Sequence, residues 1–152
     1  MCRIYFRNVE DRWAALARLA NEMNLSDAFA EGWLFHFFSD VCWEEDILQA
    51  FIAGKNPGEW FPPYREQIGL ASNWLYHNVD WAHEVWEKII NAPLAVANID
   101  HSPAIEKMDL FRSGVLKKHQ ENNTAMSEAF PLELLTQYAK ETAARYRNWR
   151  KQ

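Results

Sequence analysis

The sequence predicts an all-α protein, a compact single-domain bundle of six or seven short helices over residues 1–152. Three observations point there. Val, Ile and Thr together number only 17 in a chain rich in Ala, which favours helix over sheet. No window alternates apolar and polar residues between hairpin turns, as a half-buried sheet requires. Apolar residues instead recur at spacings of three and four, bounded by capping residues and by Gly or Pro. Only Arg3–Arg7 reads as a short strand or extended arm.

The elements follow in order. Asn8 with Asp11 three residues on resembles a capping pair, and Val9, Trp13, Leu16, Ala20 and Met23 recur at helical spacing. Ser26-Asp27 starts a second helix through Phe38, apolar almost all round and therefore central. Ser39-Asp40 starts a third, with Trp43, Ile47, Leu48 and Phe51 apolar, stopped by Gly54. Pro62-Pro63 opens a fourth carrying Ile68, Ala71, Trp74 and Leu75, since a first-turn residue needs no amide donor. Asp80 caps a fifth, with Val85, Trp86, Ile89 and Ile90 facing inward until Pro93. Ser102-Pro103 begins a sixth through Ile105, Met108 and Phe111. Residues 119–127 are polar and read as a loop. Pro131 opens the last helix, where Leu135, Tyr138, Thr142, Tyr146 and Trp149 make one stripe.

Composition narrows the function classes. Eight Trp, nine Phe and five Tyr each offer about 150–250 Å² of surface. That is more ring surface than a bundle this small is expected to bury, so some rings are expected to serve a partner or a homodimer face. The longest apolar stretch, Trp33–Phe38, is broken by His36 and falls far short of the ~20 residues of a membrane span. Cys2 and Cys42 have no metal-ligand spacing and form no disulfide framework. With no apolar leader at the start of the sequence, a reducing cytoplasm is the expected compartment.

The net charge of −5 is unevenly spread. Residues 10–66 hold eleven acids against four cations, while residues 139–152 hold five cations against Glu141 alone. Such polarity steers charged partners and carries no information about fold.

Catalytic patterns are sparse. There is no Gly-x-Ser-x-Gly elbow, and the glycines at 32, 54, 58, 69 and 114 make no phosphate loop. Acids near Cys42 oppose its ionisation. His36, inside an aromatic run, reads as a core histidine bonded to a backbone carbonyl. His77, His83 and Glu87 are the metal candidates: His83 and Glu87 lie four apart on one helical face, and His77 is a third ligand from the preceding helix end. The plain alternative is a solvated His83–Glu87 helix pair. The segment Arg145-Tyr146-Arg147-Asn148-Trp149-Arg150-Lys151 mixes cations with rings, a combination that binds nucleic acid. Its plain alternative is a helix end whose cations complement the dipole.

The most unusual stretch is Gly54–Tyr64, where Trp60, Phe61 and Tyr64 sit among Gly and Pro. Trp and Tyr dominate binding hot spots. Just before it, Asp40, Glu44, Glu45 and Asp46 gather four acids. The sequence therefore predicts a non-enzymatic interaction module, comparable in size and charge to inhibitor, immunity and adaptor proteins. It would bind a basic macromolecular partner, with those four acids steering and the three rings anchoring. No cofactor is expected. The competing readings are a metal-dependent helical enzyme or ligand-binding protein using His77, His83 and Glu87, and nucleic-acid binding through Arg145, Arg147, Trp149 and Arg150.

Overall fold

A computed structural model describes residues 11–23, 28–56, 58–91, 110, 113–114 and 125–151. Among the described residues there is no strand, and five helices account for most of them. They are α1 (Arg12–Glu22), α2 (Ala28–Trp43, continuing through Glu44–Leu48 and Gln49–Ile52), α3 (Phe61–Asn78), α4 (Asp80–Asn91) and α5 (Leu132–Trp149). The all-α class fits. The expected N-terminal arm, most of the sixth helix, and Cys2 lie outside the described residues.

The chain divides into two compact units, Met1–Trp60 with Glu133–Gln152, and Phe61–Leu132. In the first unit, α1 begins where Asp11 leaves the extended region. Its carboxylate accepts from the Ala14 amide at 2.9 Å, satisfying one of the orphan donors at a helix start. Asp11 itself is thus the cap. Leu16 is fully buried, with Trp13, Leu19, Ala20 and Met23 packed around the same core.

The second and third predicted helices are one. Ser39 does not cap a new helix: its hydroxyl donates to the Phe35 carbonyl at 2.8 Å, the back-bond a mid-helix serine makes. The reason is visible on both sides of it. Leu34, Phe37, Phe38, Val41 and Cys42 all lie buried on one continuous face, and a break at Ser39 would split that face in two.

Past Trp43 the helix widens into a π-turn over Glu44–Leu48, closed by the Gln49 amide donating to the Glu44 carbonyl. In an unbroken α-helix, Glu45 and Asp46 would follow Val41 and Cys42 at four residues and inherit the buried face. The wider turn moves that face to Ile47 and Leu48, which are buried, and leaves both carboxylates half-exposed. One extra residue per turn keeps two acids out of the core.

The helix ends at Gly54, whose φ of 75° is the left-handed cap geometry. Lys55 reinforces the end, its ammonium bonded to the Phe51 carbonyl and lying 4.2 Å from the Phe51 ring centroid.

α5 completes the first unit as its sequence stripe predicts. Thr142 and Tyr146 are buried, and Tyr138 and Trp149 partly so. Rings interlock across the elements. Tyr146 meets Phe35 at 5.0 Å and Phe38 at 5.1 Å, both edge-on, and Trp13 meets Phe38 and Trp43 meets Tyr138 in the same manner. Each such pair contributes about 0.5–1.5 kcal/mol beyond area burial. Among the described rings, Phe37, Phe38, Phe130 and Tyr146 are buried, while Trp33, Phe35, Phe61 and Trp81 are exposed.

In the second unit, Pro62 and Pro63 occupy the first turn of α3, and Ala71 and Asn73 are buried along it. Val79 links α3 to α4, its amide donating to Leu75 and its carbonyl accepting from Ala82. Ala82 is the buried residue of the first turn of α4. Val85, expected to face inward, is 43% exposed, and Trp81 is 63% exposed. Gln67 of α3 holds the segment before α5: its Oε1 accepts from Ser127 Oγ at 2.7 Å and from the Ala129 amide at 3.2 Å. Ser127 Oγ in turn accepts from the Phe130 amide at 3.0 Å.

Candidate functional site

The four acids expected to steer a partner lie on α2 in the first unit, and each has a basic side chain of that unit beside it. Glu44 pairs with Arg12 of α1. Glu45 accepts from the Trp13 indole nitrogen at 2.7 Å and lies 3.7 Å from Arg145 of α5. Asp46 meets the same Arg145 at 2.6 Å, and that guanidinium sits 5.6 Å from the Trp13 ring centroid. Asp40 faces His36 one turn back, at 3.6 Å. The π-turn makes this possible, because it swings Glu45 and Asp46 off the buried face towards α1 and α5.

One turn further along α5 the pattern repeats. Tyr146 donates to Glu31 at 2.6 Å, and Arg150 reaches both oxygens of the same carboxylate at 3.3 Å. The tyrosine hydrogen bond, helped by Arg150 and opposed by partial burial, holds the Glu31 carboxyl below its ordinary range. Burial first, and then the hydrogen bond to Glu31, raises the Tyr146 phenol.

The basic C-terminal segment is largely committed to these contacts. Arg145 and Arg150 face acids of α2, and Trp149 lies 5.4 Å from Phe38 inside the ring cluster. Arg147 is exposed. The acidic and basic poles of the sequence thus meet inside one unit. The partners Arg12, Trp13 and Glu31 were not singled out by sequence. Their only signal was that each belongs to a helix whose charge complements a distant one.

Beside the acids, Cys42 is buried and its thiol is pushed up to about 11, chiefly by desolvation, with Asp46 and Glu45 adding to it. The neighbouring Tyr138 donates to the Ser39 carbonyl at 2.6 Å. Its phenol is raised to about 12 by burial. Neither group is poised as a nucleophile or base near neutral pH.

The three rings expected to anchor a partner are divided between the units, Trp60 in the first and Phe61 and Tyr64 in the second. The loop before them is braced by Asn56 donating to Glu59 at 2.9 Å and by Gly58 at a φ of 92°. Trp60 is half-buried. Phe61 is 46% exposed at the start of α3. Tyr64, one turn on, is half-buried and meets the buried Phe130 edge-on at 5.9 Å. Of the three rings, Phe61 is the one most open to solvent. Trp33 and Phe35 of α2, which the sequence did not single out as surface rings, are also more than a third exposed.

The histidines occupy surface positions. His36 is not a core histidine: it stands exposed on the outer side of α2, because the buried face of that helix runs through Leu34, Phe37 and Phe38. At the α3–α4 corner, the Tyr76 ring lies 5.1 Å from His77 and 5.0 Å from His83. His83 Nδ1 and Glu87 Oε1 are 3.9 Å apart, a solvated one-turn helix pair, and Lys88 pairs with Glu84 on the same helix. Among the described residues, no three His, Cys, Asp or Glu side chains come together in a set able to hold a metal ion. No described helix is long and apolar enough to cross a membrane.

Comparison with protein-family models, with curated proteins and with solved structures returns no significant match.

Proposed function

We propose that this chain is a small helical protein-interaction module, of the inhibitor, immunity or adaptor type, that docks a basic macromolecular partner and performs no chemistry of its own. The observation that carries the reading is the placement of Phe61. A large ring stands 46% exposed at the head of α3, directly after a loop braced by its own hydrogen bonds and directly before two prolines. A ring carried on the first turn of a helix has little backbone freedom left to lose when a partner covers it. Trp60 and Tyr64, both half-buried, lie close to it in sequence.

The charge argument is narrower than the sequence alone suggests. Arg12 and Arg145 neutralise much of the field of Glu44, Glu45 and Asp46. Steering therefore falls mainly to Asp40 and to the overall charge of −5, a long-range effect that sets the association rate more than the affinity.

The test is affinity purification from the native host with the unaltered chain and with Phe61→Ala in parallel, followed by mass spectrometry. The reading expects one basic protein captured by the unaltered chain and lost with Phe61→Ala, while both chains keep the same helical circular dichroism. A capture profile identical for the two chains contradicts it.

A further inference from the structure

We draw no further inference here: the strongest candidate, the outer edge of α2 where Trp33 and His36 stand exposed beside Asp40, carries nothing because nothing in the structure shows what covers it.

Discussion

Arg145 of α5 lies 2.6 Å from Asp46 of α2, across 99 residues of sequence. The same guanidinium borders Glu45 and the Trp13 ring, so one cation ties the three helices of the first unit together. All of these side chains keep some exposure to water. The contact therefore specifies how α1, α2 and α5 register more than it stabilises them, since exposed pairs contribute about 0.2–1 kcal/mol.

The Tyr146–Glu31 hydrogen bond gives a pH dependence with a definite sign. A carboxyl whose folded pKa is depressed contributes stability above its unfolded pKa, about 4.3 for Glu, and loses it as pH falls through the folded value. Thermal melts from pH 7 down to pH 3 should show this contribution disappearing at the acid end. Tyr146→Phe should cost about 1 kcal/mol at pH 7, the low side for a hydrogen bond to a charged group that is partly solvated, and should flatten the acid limb. An unchanged acid limb in Tyr146→Phe would show that the Tyr146–Glu31 hydrogen bond contributes nothing to it.

Cys42 should be inert in the folded protein. It is buried, and its thiol, at about 11, is almost wholly protonated at pH 8. In a Cys2→Ser background, a thiol reagent at pH 8 should label Cys42 only as fast as the protein opens, and promptly in 6 M guanidinium. Labelling of the native protein at the rate of a free thiol would contradict the burial described.

Phe61 and Phe130 should differ on truncation to alanine. Phe130 is 2% exposed and packs on Tyr64, so Phe130→Ala should cost about 3–5 kcal/mol. Phe61→Ala, at a ring 46% exposed, should cost clearly less, about 1 kcal/mol. Denaturant melts measure both. A large loss in Phe61→Ala would make that ring a packing residue and remove the anchor from the proposed function.

Gly54 and Gly58 offer a backbone test. Both hold positive φ, at 75° and 92°, where an L side chain is strained although open space surrounds each. Gly54→Ala should destabilise by about 1 kcal/mol through the backbone alone. A neutral or stabilising result in denaturant melts would mean that the loop relaxes to another conformation.

Much of the helix pattern was legible where punctuation is local. Pro62-Pro63, Gly54 and Pro131 mark helix ends through chemistry confined to one turn, and each marks one in the structure, whereas the cap expected at Asn8 falls at Asp11. Ser39-Asp40 carried the same local signature and misled, because the buried face on both sides of it outweighed a cap. The π-turn was invisible for a related reason. Nothing in Glu44–Leu48 announces it locally, and it follows from the need to keep Glu45 and Asp46 out of a core that spans three helices. The exposure of Val85 likewise depends on what packs against α4, which periodicity alone does not reveal. At the candidate site, the acids and rings were readable as residue types. That the acids belong to Arg12 and Arg145 was not, since those partners sit in other helices and only folding brings them near.

The pairing of the acidic and basic poles is tested most directly by a double-mutant cycle on Arg145→Ala and Asp46→Ala, read by denaturant melts at low salt. The pairing predicts a coupling of about 0.5–1 kcal/mol that shrinks at 1 M salt, where the screening length falls to about 3 Å. Two strictly additive single mutations would contradict it and leave the charge asymmetry of the sequence open for a partner.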